Sequence, residues 1–212
     1  MANEWAKVRR SLWAREESPE RRRLLFTVAA ACGLTALVTA GEAVTPLARL
    51  AILAPRDPRA GPQGVPVNRS AAAAGVISAP DYRLLVTGAV RTPLSLGYAD
   101  LLRLPQHTVR LPIACVEGWS VECEWTGVRL RDLLLSAGAS PDAFVIIESL
   151  ERAGAYRTSE IRPPHWTDPL TLLALRINGQ RLDADHGFPV RLIAPNRPGV
   201  QQTKWVKEVK VT

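Results

Sequence analysis

Cysteine is scarce in this 212-residue chain: there are three, an odd number. That excludes a disulfide framework, and no C-x-x-C pair is present to hold zinc. Charged residues make up only 22% against 47% hydrophobic, which excludes wholesale disorder. Nothing resembles an RNP aromatic pattern, a zinc-finger spacing or a helix-turn-helix, so nucleic acid is not an expected partner. No internal repeat appears.

What is present is basic and unevenly spread. The formal charge is +7 and the pI about 9.9. Residues 1–60 carry ten Lys/Arg against six Asp/Glu, a net of +4, which leaves +3 for the remainder. This excess flanks an apolar run and suits an anionic membrane surface better than a nucleic-acid groove.

The run is Leu24 to Gly41, "LLFTVAAACGLTALVTAG", 18 residues without a charge. As a helix it would extend roughly 27 Å, close to the hydrocarbon thickness of a bilayer. Arg21-Arg22-Arg23 stands before it, and the positive-inside rule then keeps the N-terminus cytoplasmic and exports the C-terminal part. A cleaved export signal of twin-arginine flavour, with "GEA" as the small-residue site, is the competing reading. Both place the main domain outside the cytoplasm and differ on whether it stays tethered; the anchor, the favoured reading, keeps it at the cell membrane. Cys32 sits within the run as an apolar helix residue.

We therefore expect a basic cytoplasmic N-terminus over 1–23 and a transmembrane or signal-anchor helix over 24–54. A Pro/Gly-rich linker and arm comes next, over 55–80, then a globular domain over 81–212. The stretch "PRDPRAGPQGVPVNRS" holds four prolines and reads as linker or extended arm. In the domain, "YRLLVTGAV" reads as a strand ending at Gly88. "SLGYADLLRLP" reads as a short helix stopped by Pro105, and "HTVRLPIACV" as a strand leading to Cys115. "GVRLRDLLLSAGA" carries a helical stripe ending at Gly138. "AFVIIES" is a buried strand, Asn178-Gly179 a tight turn, and "FPVRLIAPN" and "WVKEVKVT" the last strands. Strands and short helices without a βαβ rhythm give a mixed-sheet α+β domain.

Chemistry gathers in two places. Cys115 ends an apolar strand and precedes Gly118, which permits close backbone approach. Its residue type leaves four roles open: core filler, half of a bridge to Cys123, nucleophile, or metal ligand. Farther on, His186, Arg191, Arg197 and Lys204 crowd a Gly/Pro-rich stretch. Cations beside free backbone N–H groups suit a phosphate-bearing ligand, though a solvated basic turn has the same composition.

Together these blocks carry a resemblance. "ACVEGWS" followed by "WTGVRLRDLL" resembles the cysteine segment of the sulfite oxidase superfamily of molybdopterin-binding oxidoreductases. "NGQRLDADHGFPVRLIAP", with Lys204 of "TKW" eighteen residues after His186, resembles that family's cofactor-binding signature. The resemblance covers roughly residues 65–212. Within the superfamily, "CVEGWS" is closer to the bacterial exported members, including the protein-methionine-sulfoxide reductase type, than to the sulfite-specific enzymes.

The resemblance implies a domain of the sulfite oxidase molybdopterin-binding type and a Mo-molybdopterin cofactor. Cys115 would give its thiolate to molybdenum, a soft ligand on a soft, sulfur-rich centre. His186, Arg191 and Lys204 would hold the pterin phosphate, with Gln202 and Thr203 adding backbone contacts. Asn68 and Arg69 match an upstream cofactor-contacting segment, and Ser149 a small hydroxyl position. Arg110 is the candidate for a catalytic arginine. Where a tyrosine is expected the chain reads "PPHWTDPL", placing His165 and Trp166 near the pocket and counting against sulfite oxidation. With no C-x-x-C-H motif and no second apolar span with paired histidines, electrons would pass to or from a membrane cytochrome or quinone-linked partner. The substrate would be a small molecule or an oxidised protein. Two rivals remain: a membrane-tethered module of the same fold that binds without turnover, and a thiol-redox protein using Cys115 and Cys123.

Overall fold

The computed structural model describes residues 19–40, 61–76, 81–115 and 118–212. It divides into two units, Met1–Ala54 and Pro55–Thr212. In the first unit one helix, α1 (Pro19–Ala40), is described. It starts before the expected anchor and takes Glu20 and Arg21–Arg23 into its first turns. Leu24, Leu25, Phe26 and Val28 are more than half exposed on it. The membrane-crossing helix expected over 24–54 is not supported. Among the described residues no helix is long and apolar enough to cross a membrane. The charged first turns and the Ala/Thr-rich body explain this, and residues 41–54 lie outside the described residues.

The second unit is the expected mixed α+β domain. Its strands and helices, in order, are β1 (Arg83–Gly88), β2 (Leu94–Gly97), α2 (Tyr98–Arg103), β3 (His107–Ala114), β4 (Ser120–Arg129), α3 (Leu130–Ser136), β5 (Val145–Ser149), β6 (Thr158–Ile161), α4 (Pro163–Trp166), β7 (Leu172–Ile177), β8 (Gln180–Arg181), β9 (Arg191–Ile193) and β10 (Val206–Val211). One sheet runs β2-β1-β10-β5-β6, and the other β3-β4-β7-β8 with β9 on β7. The pairing of β1 with β10 is parallel, Leu85 opposite Glu208 and Gly88 opposite Val211. The remaining pairings are antiparallel.

Strand period explains the core. On β7, Leu173 and Leu175 join a large cluster with Leu84, Val86, Leu134, Ile147, Trp166 and Val209. On the opposite face, Leu172, Ala174 and Ile177 join a smaller cluster with Ile113, Cys123, Trp125 and Ile193. A strand buried on both faces reads as a near-continuous apolar run, and "LLALRI" does. Leu94 and Leu96, which the sequence pattern assigns to a short helix, stand instead on β2. The segment 61–76 does not trail away as a linker: Val65 and Ala74 are buried in the domain, and residues 71–75 form a turn.

Candidate active site

β3 and β4 form a hairpin in register to Ala114 opposite Ser120. Its tip is the Cys115 loop, where the Cys115 N–H donates to the Trp119 carbonyl at 2.9 Å and the Gly118 N–H to the Cys115 carbonyl at 3.1 Å. Gly118 has φ +91°, so the turn needs glycine for its backbone conformation. A Cβ there would meet no other atom of the chain within 4 Å. Val116 and Glu117 lie outside the described residues.

Cys115 faces a cleft with about 680 Å³ of empty space, its open mouth included. Asn68, Arg69, Ser149, His186, Arg191, Gln202, Thr203 and Lys204 line the same cleft. Every residue expected to hold cofactor is therefore present, drawn from the arm, the β3–β4 tip, the end of β5 and the segments around β9 and β10. Arg110 is elsewhere. It is exposed on β3, 3.6 Å from Glu122, because alternation along β3 turns it away from the buried face. His165 and Trp166 are not at the cleft either. Trp166 is fully buried in the large core, its indole N–H donating to the Ala143 carbonyl. Tyr156, which no sequence motif singles out, lines the cleft and is 56% exposed. It lies between β5 and β6, and no periodic pattern there draws attention to it. Glu151, also at the cleft, escapes a reading of the sequence for the same reason.

Arg191 sets the electrostatics. It is only 5% exposed, opens β9 opposite Ala174, and lies over the Trp125 ring at 5.4 Å. Its Nη1 donates to the His186 carbonyl at 3.2 Å, while its Nε has no partner. Burial pushes its pKa down to about 10. His186 is 1% exposed and its Nε2–H meets the Pro62 carbonyl at 2.7 Å. Burial holds its imidazole below the usual range; the Pro62 bond opposes this, and Arg191 and Lys204 add to it. Gly187, at φ +108°, closes that turn beneath the Cβ of Lys204, 3.1 Å from where its own Cβ would stand.

Lys204 Nζ donates to the Arg69 and Asp185 carbonyls and lies 4.5 Å from the Trp205 ring centre. Burial first, then Arg191, pushes its pKa down to about 7; Asp185 and Glu151 pull it back up and Arg69 lowers it. Arg69 Nε is 3.4 Å from Glu151. Gln202, 2% exposed, gives its Nε2–H to the Arg197 carbonyl and leaves its Oε1 unpaired. The Thr203 hydroxyl pairs with Ser159, and the Ser149 hydroxyl donates to the Lys204 carbonyl.

This donor set fits a phosphate-bearing ligand. Buried cations are normally paired, yet Arg191 has a backbone carbonyl and an aromatic face, and a donor to spare. Arg69, Arg191 and Lys204 line the cleft beside a single carboxylate, Glu151. An accessible thiol in the same space completes a site that can accept both an anion and a soft metal. Among the described residues no cluster of three or more His, Cys, Asp or Glu side chains could hold a metal unaided. The thiol-redox arrangement is not formed. All three cysteines are free, and Cys123 stands opposite Leu111, while Cys115 pairs across the tip with Trp119, four residues before Cys123. At about 3.3 Å per residue that is roughly 13 Å, beyond the reach of a disulfide.

Comparison with known proteins agrees with this chemistry. The oxidoreductase molybdopterin binding domain family matches residues 71–212. The chain is 33% identical over 145 residues to the protein-methionine-sulfoxide reductase catalytic subunit of Gluconobacter oxydans, covering 61% of this chain and 46% of that one. It is 35% identical over 157 residues to the mitochondrial sulfite oxidase of Rattus norvegicus, covering 61% and 29%. The sulfane dehydrogenase SoxCD of Paracoccus pantotrophus superposes with a TM-score of 0.57 at 29% identity, covering 64% of this chain and 39% of that one. The chain thus spans about half or less of these relatives. With the matched segment taking in the cysteine loop, the buried arginine and the lysine before β10, the chain belongs to the oxidoreductase molybdopterin binding domain family.

Proposed function

We propose that the domain holds one Mo-molybdopterin and uses it for oxygen-atom transfer, with Cys115 as the protein's ligand to the metal. The observation that carries this reading is Arg191: a buried cation with an unspent donor, in the cleft that Cys115 faces. The cofactor supplies the two-electron redox change. The chain supplies the rest. Arg191 and Lys204, with His186 beside them, bind the pterin phosphate. Arg69 and Asn68 close the cleft from the arm. Trp119 and Ile113 present apolar walls that limit water around the Cys115 sulfur. Tyr156 stands exposed on the cleft, where its hydroxyl can meet a polar substrate.

For the substrate we favour an oxidised sulfur compound, either a small molecule or an oxidised protein side chain. The support is the likeness to the protein-methionine-sulfoxide reductase subunit. A putative subunit of that reductase type from Azospira oryzae is also 34% identical over 136 residues. The electron partner in this reading is a membrane cytochrome or quinone-linked protein. In this reading the domain works on the extracytoplasmic side of the cell membrane, a placement resting on the likeness of "CVEGWS" to the exported members of the family.

The test is elemental analysis and a sulfoxide-reduction assay on protein made in a cofactor-competent host, wild type beside Cys115→Ser. Wild type should carry stoichiometric molybdenum. The serine variant should fall to background activity with its thermal unfolding unchanged. Wild-type protein that folds and carries no molybdenum would remove the proposal.

A further inference from the structure

The cleft has a wall that belongs to neither sheet. Pro66, Asn68 and Arg69 line it from the arm 61–76, which precedes β1. Among the described residues no ladder of strand hydrogen bonds holds this arm; isolated contacts do, to residues 178–186 and, through Arg69, to Glu151, Ala153 and Lys204, with Val65 and Ala74 buried beneath it. The His186 ring bonds the Pro62 carbonyl, and the Asp185 carboxylate accepts from the Ala71 N–H at 2.8 Å.

Gln63 stands out among these contacts. Its Nε2–H donates to the Arg181 carbonyl at 2.8 Å and its Oε1 accepts from the Asp183 N–H at 3.0 Å. A carbonyl and an N–H two residues apart are what the N–H and C=O of one residue on a neighbouring parallel strand would pair with. The Gln63 amide imitates that residue where β8 has run out. Its own backbone carbonyl accepts from Asn178 Nδ2 at 3.4 Å. Gln63 holds this position at φ +59°, a conformation that costs a non-glycine residue energy unless its surroundings fix it.

Gln63 does not itself line the cleft, and the sheets are complete without it. We propose that residues 61–76 form a clasp over the cofactor cleft, latched by the Gln63 side chain, and that its opening sets how fast cofactor enters and leaves. This rests on the cofactor reading of the cleft. Gln63 is a positioning residue: it fixes the start of the arm that carries Asn68 and Arg69 to the cleft. A segment held by isolated hydrogen bonds, one ion pair and two small buried side chains opens at lower free energy than the laddered sheets it covers. Cofactor exchange then needs no unfolding of the domain.

The test uses Gln63→Ala and Gln63→Glu; the second keeps the shape and the acceptor and loses the donor. In the cofactor-free chain, hydrogen exchange at the Ala71 amide, eight residues from the substitution, should accelerate about tenfold or more in both variants. Amides of β1 and β7 should stay at wild-type rates. In loaded protein, pterin release followed by fluorescence should accelerate by a similar factor. Unchanged exchange at Ala71, or fast exchange with release at the wild-type rate, would overturn the clasp. A wild-type chain that takes up no pterin would sink the cofactor reading and the clasp's purpose with it. That failure is told apart because the Ala71 measurement needs no cofactor.

Discussion

On β7, Leu173 and Leu175 face a core of hydrocarbon, while Ala174, on the other face, stands opposite a buried arginine. The two regions treat polar groups differently. In the large core the Tyr82 hydroxyl donates to the Val206 carbonyl and the Trp166 indole to the Ala143 carbonyl. At the cleft, Arg191 Nε and Gln202 Oε1 are buried without partners. An unsatisfied buried group costs about 1–3 kcal/mol, so the cleft is kept at the expense of stability that the core provides. Positions one residue apart on a strand can thus serve stability and binding separately.

Truncating the core should separate the two most sharply. Leu173→Ala should lower unfolding free energy by about 2–5 kcal/mol in urea titration, with the cofactor affinity of the folded fraction preserved. Arg191→Met should do the reverse. Methionine fills the space without a charge, so the cofactor-free domain should be as stable as wild type or more so. Cofactor retention should weaken by about 1.5–3 kcal/mol, roughly 10- to 150-fold, by equilibrium dialysis. An Arg191→Met protein that unfolds more easily and still retains cofactor would erase the contrast.

A pH series sharpens it further. Unfolded, Lys204 keeps its proton to about pH 10.5; in the cleft it gives it up near 7. Between those values the unfolded chain binds more protons, so the cofactor-free domain should gain stability from about pH 7 towards 9. Above about pH 9 the buried Cys123 thiol, pushed up to about 11 by burial, acts in the opposite sense, because there the folded chain holds the extra proton. Cofactor retention should fall over roughly the same range, as Lys204 loses the charge that meets the phosphate. Lys204→Met should flatten both slopes; persistence of either slope would assign it to another group. The smallest effect is expected at Arg110→Ala. Exposed and paired only with Glu122, Arg110 should change stability by no more than about 0.5 kcal/mol and leave cofactor content unchanged.

Much of the domain was legible where one period dominated. The strand ending at Gly88, the helix stopped before Pro105, the strand running into Cys115, the helix over 130–136 and the Asn178-Gly179 turn all stand as expected. β4 was harder. Val121, Cys123 and Trp125 alternate with Glu122, Glu124 and Thr126, but an unusual mixture of residue types hides the period. β6 is four residues long, too short to show one. Arg110 and Arg191 illustrate the limit for the site. Both are arginines on strands, and composition alone treats them alike. Strand alternation put one in solvent, and the pairing of β9 with β7 put the other under the cleft.

By itself the sequence determined the class of fold, the identity of the cysteine loop and the set of residues with phosphate-binding chemistry. These depend on residue type and local spacing, which the chain carries directly. Only the tertiary structure decided that Cys115 and the cations of the arm and of the C-terminal segments meet in one cleft. It also decided that Arg110, His165 and Trp166 do not, and that Gln63 ties the arm across. Those outcomes depend on long-range pairings, β1 with β10 and β7 with β9, and on burial that leaves one donor of Arg191, its Nε, without a partner. No local pattern encodes them.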